Sequence, residues 1–280
     1  MKIEILYQTQ YTYAEPVSFS PHVYRLFPKA DRDLVVCRVD FQTNAEAIVN
    51  FRRDLFDNEI ASCFYPDYSA LLAVNLRLEL DVREKNAFGF LLAPHALDFP
   101  FTYTPEEMRV LAPYLRDAGT LELPFWKRPR SPVSTIEMLV GLNRNLREHL
   151  AYERRDHGAA RTGAETLAAG GGACRDFAVL LATTLRALGI AARLASGYLS
   201  EFGVAERRAE GALHAWTEAY LPGAGWVGFD PTNGVLCNHQ HVTAAVGLDA
   251  ADIAPVSGRY FHRREIPAQM LASLKIHEIS

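Results

Sequence analysis

The chain has 280 residues, 49% hydrophobic and 22% charged, which supplies enough apolar material for one or two packed cores. A net charge of −4 and a pI near 6.1 exclude an electrostatic nucleic-acid binder, and no apolar run is long enough to span a bilayer. Cys37, Cys63, Cys174 and Cys237 form no C-x-x-C pair and are too sparse for a disulfide framework, so neither a zinc ribbon nor an oxidising compartment is indicated.

The N-terminus, MKIEILYQTQYTY, alternates without an uninterrupted apolar stretch and reads as a strand, not a secretion signal; a cytoplasmic setting is the expectation. The first hundred residues read as β-structure throughout. Ile3, Ile5, Tyr7, Thr9 and Tyr11 face one way, and Val35, Cys37, Val39 and Phe41 alternate with Arg38, Asp40 and Gln42. In 71–82, Leu72, Val74, Leu76, Leu78, Leu80 and Val82 alternate with Ala73, Asn75, Arg77, Glu79 and Asp81. One apolar face and one wet face predict antiparallel sheets packed as a sandwich. Asp57-Asn58 is a hairpin turn signal, while His22 and His95, each beside a proline, read as loop residues.

Thr104-Pro105-Glu106-Glu107 is a capping box that opens a short helix toward Leu115. Gly119, Pro124, Pro129 and Pro132, with the basic run Lys127-Arg128-Pro129-Arg130, have connector composition and place a domain boundary near 130, dividing the chain into 1–130 and 131–280. Ser134-Thr135-Ile136-Glu137 opens a second helix to about Leu150, with Ile136, Leu139, Val140, Asn143, Leu146 and Leu150 on one face. Tyr152 follows, readable as a core aromatic or as a donor to a reaction intermediate.

Gly170-Gly171-Gly172 then lets backbone approach backbone or ligand closely. In CRDFAVLLATTLRALG, Phe177, Leu180, Leu181, Thr184, Leu185 and Leu188 recur at helical spacing, and Gly189 stands where a left-handed cap belongs. Cys174 therefore falls in the first helical turn, where unpaired N–H groups and the helix dipole favour a thiolate. That stretch alone admits two readings, a nucleophile or a small buried apolar residue. Strands follow over 191–199, 212–220 and 226–229, with a charged loop at 200–211 and a turn at 222–225. A turn centred near 222 sets His214 roughly opposite Asp230. A cysteine needs a base, and a histidine needs an acceptor on its second nitrogen, so Cys174, His214 and Asp230 together point to nucleophilic catalysis.

The segments GGGACRDFAVLLATTLRALGIAARLASGYL and HAWTEAYLPGAGWVGFDPTNG resemble the core of the transglutaminase-like superfamily, bacterial branch. Tyr11-Thr12-Tyr13 through Pro16-Val17, with Arg25-Leu26-Phe27-Pro28, resemble the β-rich N-terminal domain of those proteins, and 241–260 resembles the segment after the core. The resemblance implies an α+β fold, an N-terminal antiparallel β-sandwich followed by a papain-like core, with a catalytic Cys174–His214–Asp230 triad. It implies thiol-dependent acyl transfer on a peptide or carboxamide through a thioester, the acceptor being an amine or water; a silent peptide-binding module is the rival. Tyr152, Gly172 and Trp216 are oxyanion or substrate candidates. A peptide or protein substrate is expected, and no cofactor, metal, nucleic acid or membrane. Two positions depart from the family: Asp57 replaces a usual glycine, and Leu248 a common arginine.

Overall fold

The computed structural model describes residues 1–44, 46–116, 121–155, 158–200 and 213–279; most of the charged loop at 200–211 and part of the connector at 119–133 lie outside them. The chain opens with strands β1 (Lys2–Phe19), β2 (His22–Tyr24), β3 (Leu34–Thr43), β4 (Ile48–Arg53), β5 (Glu59–Phe64) and β6 (Ser69–Val82). In β1 the expected face is buried at Ile3, Ile5, Tyr7 and Thr9, and in β6 at Leu72, Val74, Leu76, Leu78, Leu80 and Val82. β3 differs. A register shift between Val36 and Arg38 against β6 puts Cys37 at a bulge, so Leu34 is buried while Val35, Cys37 and Val39 are exposed. His22 also differs: it is a buried strand residue, with Nδ1 2.8 Å from Ser20 O and its ring edge-on to Phe19 and Tyr65.

The β4–β5 turn is held by Asp54, whose Oδ1 accepts from the N–H groups of Phe56 (2.9 Å) and Asn58 (3.0 Å). Asp57 sits there at φ 59°, in the left-handed region that favours the family's glycine. Aspartate is one of the few residues that tolerates this conformation.

After β7 (Asp98–Phe99) come α1 (Pro105–Leu111), with its capping box formed between Thr104 and Glu107, then β8 (Val133–Ser134) and α2 (Thr135–His149), capped by Ser134 Oγ. β9 (Ala151–Tyr152), α3 (Gly163–Ala168), β10 (Gly171–Gly172) and α4 (Cys174–Ala187) lead to β11 (Ala192–Leu199), β12 (Leu213–Leu221), β13 (Gly225–Asp230), β14 (Val235–Leu236) and β15 (His241–Gly247). These last five strands form one antiparallel sheet, ordered β14-β13-β12-β11-β15. The apolar faces of α2 (Leu139, Leu142, Leu146) and α4 (Phe177, Leu180, Leu181, Leu185) pack on it with Ala215, Ala219, Leu221 and Phe229. Thr217 Oγ1 donates to Ala178 O (2.8 Å) and ties helix to sheet.

Packing does not follow the division at 130. Phe99 and Leu123, with Phe101, Phe125 and Trp126 against them, join the helix–sheet core. At the other end, β16 (Val256–Ser257) pairs β2, β17 (Tyr260–Phe261) pairs the end of β1, and β18 (Ala268–Ile279) runs antiparallel along β1 from Ala268↔Tyr13 to Ile279↔Lys2. The prolines of 124–132 mark a surface connector, not a change of core. The two sandwich sheets, β17-β1-β6-β3 with β18 on β1 and β16-β2-β5-β4, enclose a second core that includes Tyr198 and Val242 of the other sheet. Asn58 completes the junction: fully buried, it donates to Val246 O (2.8 Å) and accepts from Val246 N–H (2.9 Å).

Candidate active site

Gly170 takes a left-handed φ of 67°, and the other two glycines before α4 are explained by contact. β10 pairs in parallel with β9, and a Cβ on Gly171 would lie 2.0 Å from Ala151 O. One on Gly172 would lie 2.6 Å from Asp176 Oδ2. Asp176, fully buried at the third position of α4, is the hub of this corner. Its Oδ2 accepts from Ala173 N–H (2.8 Å) and from Arg155 Nη1 (2.5 Å), and its Oδ1 from Arg161 N–H (2.7 Å). Arg175 donates to Arg155 O (2.8 Å) and Gly158 O (3.2 Å), so the first turn of α4 grips Arg155, Gly158 and Arg161. Cys174 is the first residue of that turn, partly exposed, with its own N–H pointing out of the helical bonding pattern.

His214 and Asp230 do meet. His214 Nε2 lies 2.8 Å from Asp230 Oδ2, and the side chain of Cys174 hydrogen-bonds the same imidazole. With Nε2 given to aspartate, Nδ1 is the nitrogen left for sulfur. The observed ladder, Thr217↔Phe229 to Leu221↔Gly225, centres the turn near 223 and not 222. Asp230 therefore falls opposite Trp216 and diagonal to His214, a separation the two side chains bridge. Asp230 is fully buried and saturated: Oδ1 accepts from the N–H groups of Thr232 (3.0 Å) and Asn233 (3.2 Å), Oδ2 also from Asn233 Nδ2 (2.7 Å). A second histidine, His241, reaches it as well, with Nε2 3.2 Å from Oδ2.

Burial opposes ionisation of all three reacting groups, and their mutual contacts overcome it. The bond from His214, its charge and the Ala215 backbone bring the Cys174 thiol below its ordinary value. The Asp230 carboxylate raises His214, and the two histidines hold Asp230 far below the carboxylate range. The other thiols differ: burial pushes Cys63 up to about 11 and Cys237 well above the thiol range. Brief iodoacetamide treatment at pH 6 should therefore alkylate Cys174 first, with exposed Cys37 the slower competitor and Cys63 and Cys237 unlabelled. Peptide mapping checks this, and equal labelling of Cys37 and Cys174 would remove the nucleophile assignment.

The remaining candidates separate. Trp216 is fully buried behind the site, tilted against the His214 ring (centroids 6.2 Å) and edge-on to His241 (5.5 Å); it packs and does not face solvent. Trp226 is elsewhere, edge-on to Tyr114 and Tyr220 beneath Arg193. Gly172 is buried with its carbonyl accepting from Glu153 N–H (2.8 Å). Tyr152, in register with Gly172 two residues before Cys174, is exposed and so is no core aromatic. The backbone of Leu248 is bound by Arg186 Nη2 (2.8 Å) and Asp252 Oδ2 (3.0 Å) at the last turn of α4, the end away from Cys174. His241 and Asp176 escaped the sequence as site residues. Among the described residues no group of three His, Cys, Asp or Glu is arranged to hold a metal ion.

A thiol on a helix N-terminus and a histidine–aspartate pair on an adjoining antiparallel sheet define the class of papain-like thiol proteins. The chain belongs to the transglutaminase-like superfamily: residues 127–231 match its core, and residues 3–81 match the bacterial transglutaminase-like N-terminal region. An uncharacterized Mycobacterium leprae protein is 36% identical over 166 residues, 59% of this chain and 54% of that protein. An uncharacterized Mycobacterium tuberculosis protein is 36% identical over 108 residues, 36% of this chain and 34% of that protein. The chain thus spans about half or less of the length of these curated relatives. Among solved structures, a candidate cysteine protease from Cytophaga hutchinsonii superposes with a TM-score of 0.68 at 16% identity, over all of this chain and 92% of that one, and shares the fold. No helix of the described residues is long and apolar enough to cross a membrane.

Proposed function

We propose that the protein is a cysteine acyltransferase or peptidase acting on a peptide or protein carboxamide through Cys174, His214 and Asp230. The observation that supports this most is the His214 imidazole, held at Nε2 2.8 Å from Asp230 Oδ2 with the Cys174 side chain as its other partner. The Cys174 thiolate attacks the carbonyl carbon, and the oxyanion forms beside the Cys174 N–H, a donor of a kind worth a few kcal/mol of barrier. The intermediate collapses as His214 gives its Nδ1 proton to the departing amine, leaving a thioester on Cys174. His214 then takes a proton from the acceptor, an amine or water, whose attack releases the acyl product and restores the thiolate. Asp230 orients the ring and stabilises the imidazolium throughout.

The test is to incubate the protein with a peptide mixture, quench in acid and find the adduct by mass. An acyl group on Cys174 supports the proposal and names the donor. Adding a primary amine then separates transfer, which yields an amide, from hydrolysis, which yields an acid. A folded protein that forms no adduct on Cys174 with any donor is a binding module instead.

A further inference from the structure

His241 closes the chain's passage from one edge of the sheet to the other. Residues 237–240 lead from β14 to β15, and His241 is the first residue of the new strand. The crossing is fixed: His241 N–H donates to Asn238 O (3.0 Å), Gln240 N–H to Asn238 Oδ1 (3.0 Å), and Ser200 N–H to Gln240 O (2.9 Å). The His241 ring is buried, its side chain 4% exposed, and it stands edge-on to Trp216. Its two nitrogens are distinguishable. Nδ1 lies 3.3 Å from the Asn238 N–H and so must be an acceptor. The ring proton is then on Nε2, directed at Asp230 Oδ2.

We propose that His241 is a positioning residue of the Cys174 site: a neutral imidazole that donates Nε2–H to Asp230 Oδ2 and shares that oxygen with His214. The proposal rests on Cys174, His214 and Asp230 being the reacting groups. With His214, His241 and Asn233 on Oδ2, and Thr232 and Asn233 on Oδ1, the carboxylate has no freedom to rotate. A donor to a carboxylate also spreads its charge, weakening its pull on every other partner. His241 therefore tempers the attraction between Asp230 and the His214 imidazolium, and through it the thiolate of Cys174. The ionisable groups facing Asp230 are His214 and His241, with Cys174 beyond His214; Cys237 flanks the carboxylate, and Glu218 and Lys85 lie on the Cys237 side.

The pH profile of Cys174 alkylation by iodoacetamide reads this directly. His241→Phe keeps a ring against Trp216 but has no donor. It should move the midpoint of labelling downward by about half a unit, roughly threefold in the thiol's ionisation constant. His241→Gln, which can donate through its amide, should restore the wild-type midpoint. In an Asp230→Asn background the His241→Phe shift should vanish, because the two side chains act on each other. If His241→Phe does not fold, His241→Asn, too short to reach Oδ2, takes its place. An unchanged midpoint in the folded variant, or the same shift with and without Asp230→Asn, overturns the proposal. Failure of the underlying site assignment looks different: wild-type Cys174 would then show no preferential labelling at all.

Discussion

Replacing His214 by alanine should nearly abolish acylation of Cys174 and return its thiol toward the free value of about 8.5. Contact with His214 lowers the folded thiol from its ordinary value against the opposing burial, so the wild-type protein keeps more thiolate as the pH falls. In His214→Ala the labelling rate should already fall away below pH 8.5, because burial, which raises the thiol, is no longer opposed by the imidazole. Asp230→Asn should cost less. In serine proteases the corresponding change removes about 10⁴ in rate through the wrong tautomer. A thiolate leans on its base less than an alkoxide does, so the loss here should fall short of both that figure and the His214→Ala loss. Single-turnover acylation of both variants, with circular dichroism to check folding, decides the order. An Asp230→Asn protein that is partly unfolded yet acylates normally would make Asp230 a turn residue and end the triad assignment.

The largest loss of stability expected of a single substitution is at Asp176, which touches no substrate in the proposed reaction. Asp176→Ala would take the carboxylate from Arg155, leaving it only Ala159 O, and would leave the N–H groups of Ala173 and Arg161 without their acceptor. Removing one partner of a buried charge pair typically costs about 3–5 kcal/mol. Arg155 and Arg161 would lose their anchor on α4 and Cys174 its fixed helical start. Urea unfolding with unchanged slope measures it; a cost under about 1 kcal/mol would show that Arg155 and the amides find water instead.

The sequence carried the site unevenly, for physical reasons. Cys174 was legible because a helix start has local marks, three glycines before it and an apolar stripe after it. His214 and Asp230 were legible because they flank one short turn, although the register was two residues off. His241 belongs to the same carboxylate but arrives by a crossing from the far side of the sheet, and no spacing rule connects it to Asp230. In the sandwich, β1 and β6 announced themselves because each has one fully buried face. The bulge at Cys37 inverts the pattern of β3 halfway along, which alternation cannot foresee. β18 was missed because it is an outer strand: Leu274 is its one buried residue, so its sequence shows little apolar period.

That outer strand sets the order of events when the chain folds. β1 lies between β6 and β18, and its pairs with β18 join residues more than 250 positions apart, such as Tyr13 with Ala268. The sheet can be finished only after the entire helix–sheet core has been made. Closing so long a loop is entropically slow, and until it happens one side of β1 offers a row of unpaired N–H and C=O groups to any other strand. β1 is thus made before the core and completed after it, and the core that carries Cys174 can assemble as an insertion between two strands still waiting to meet.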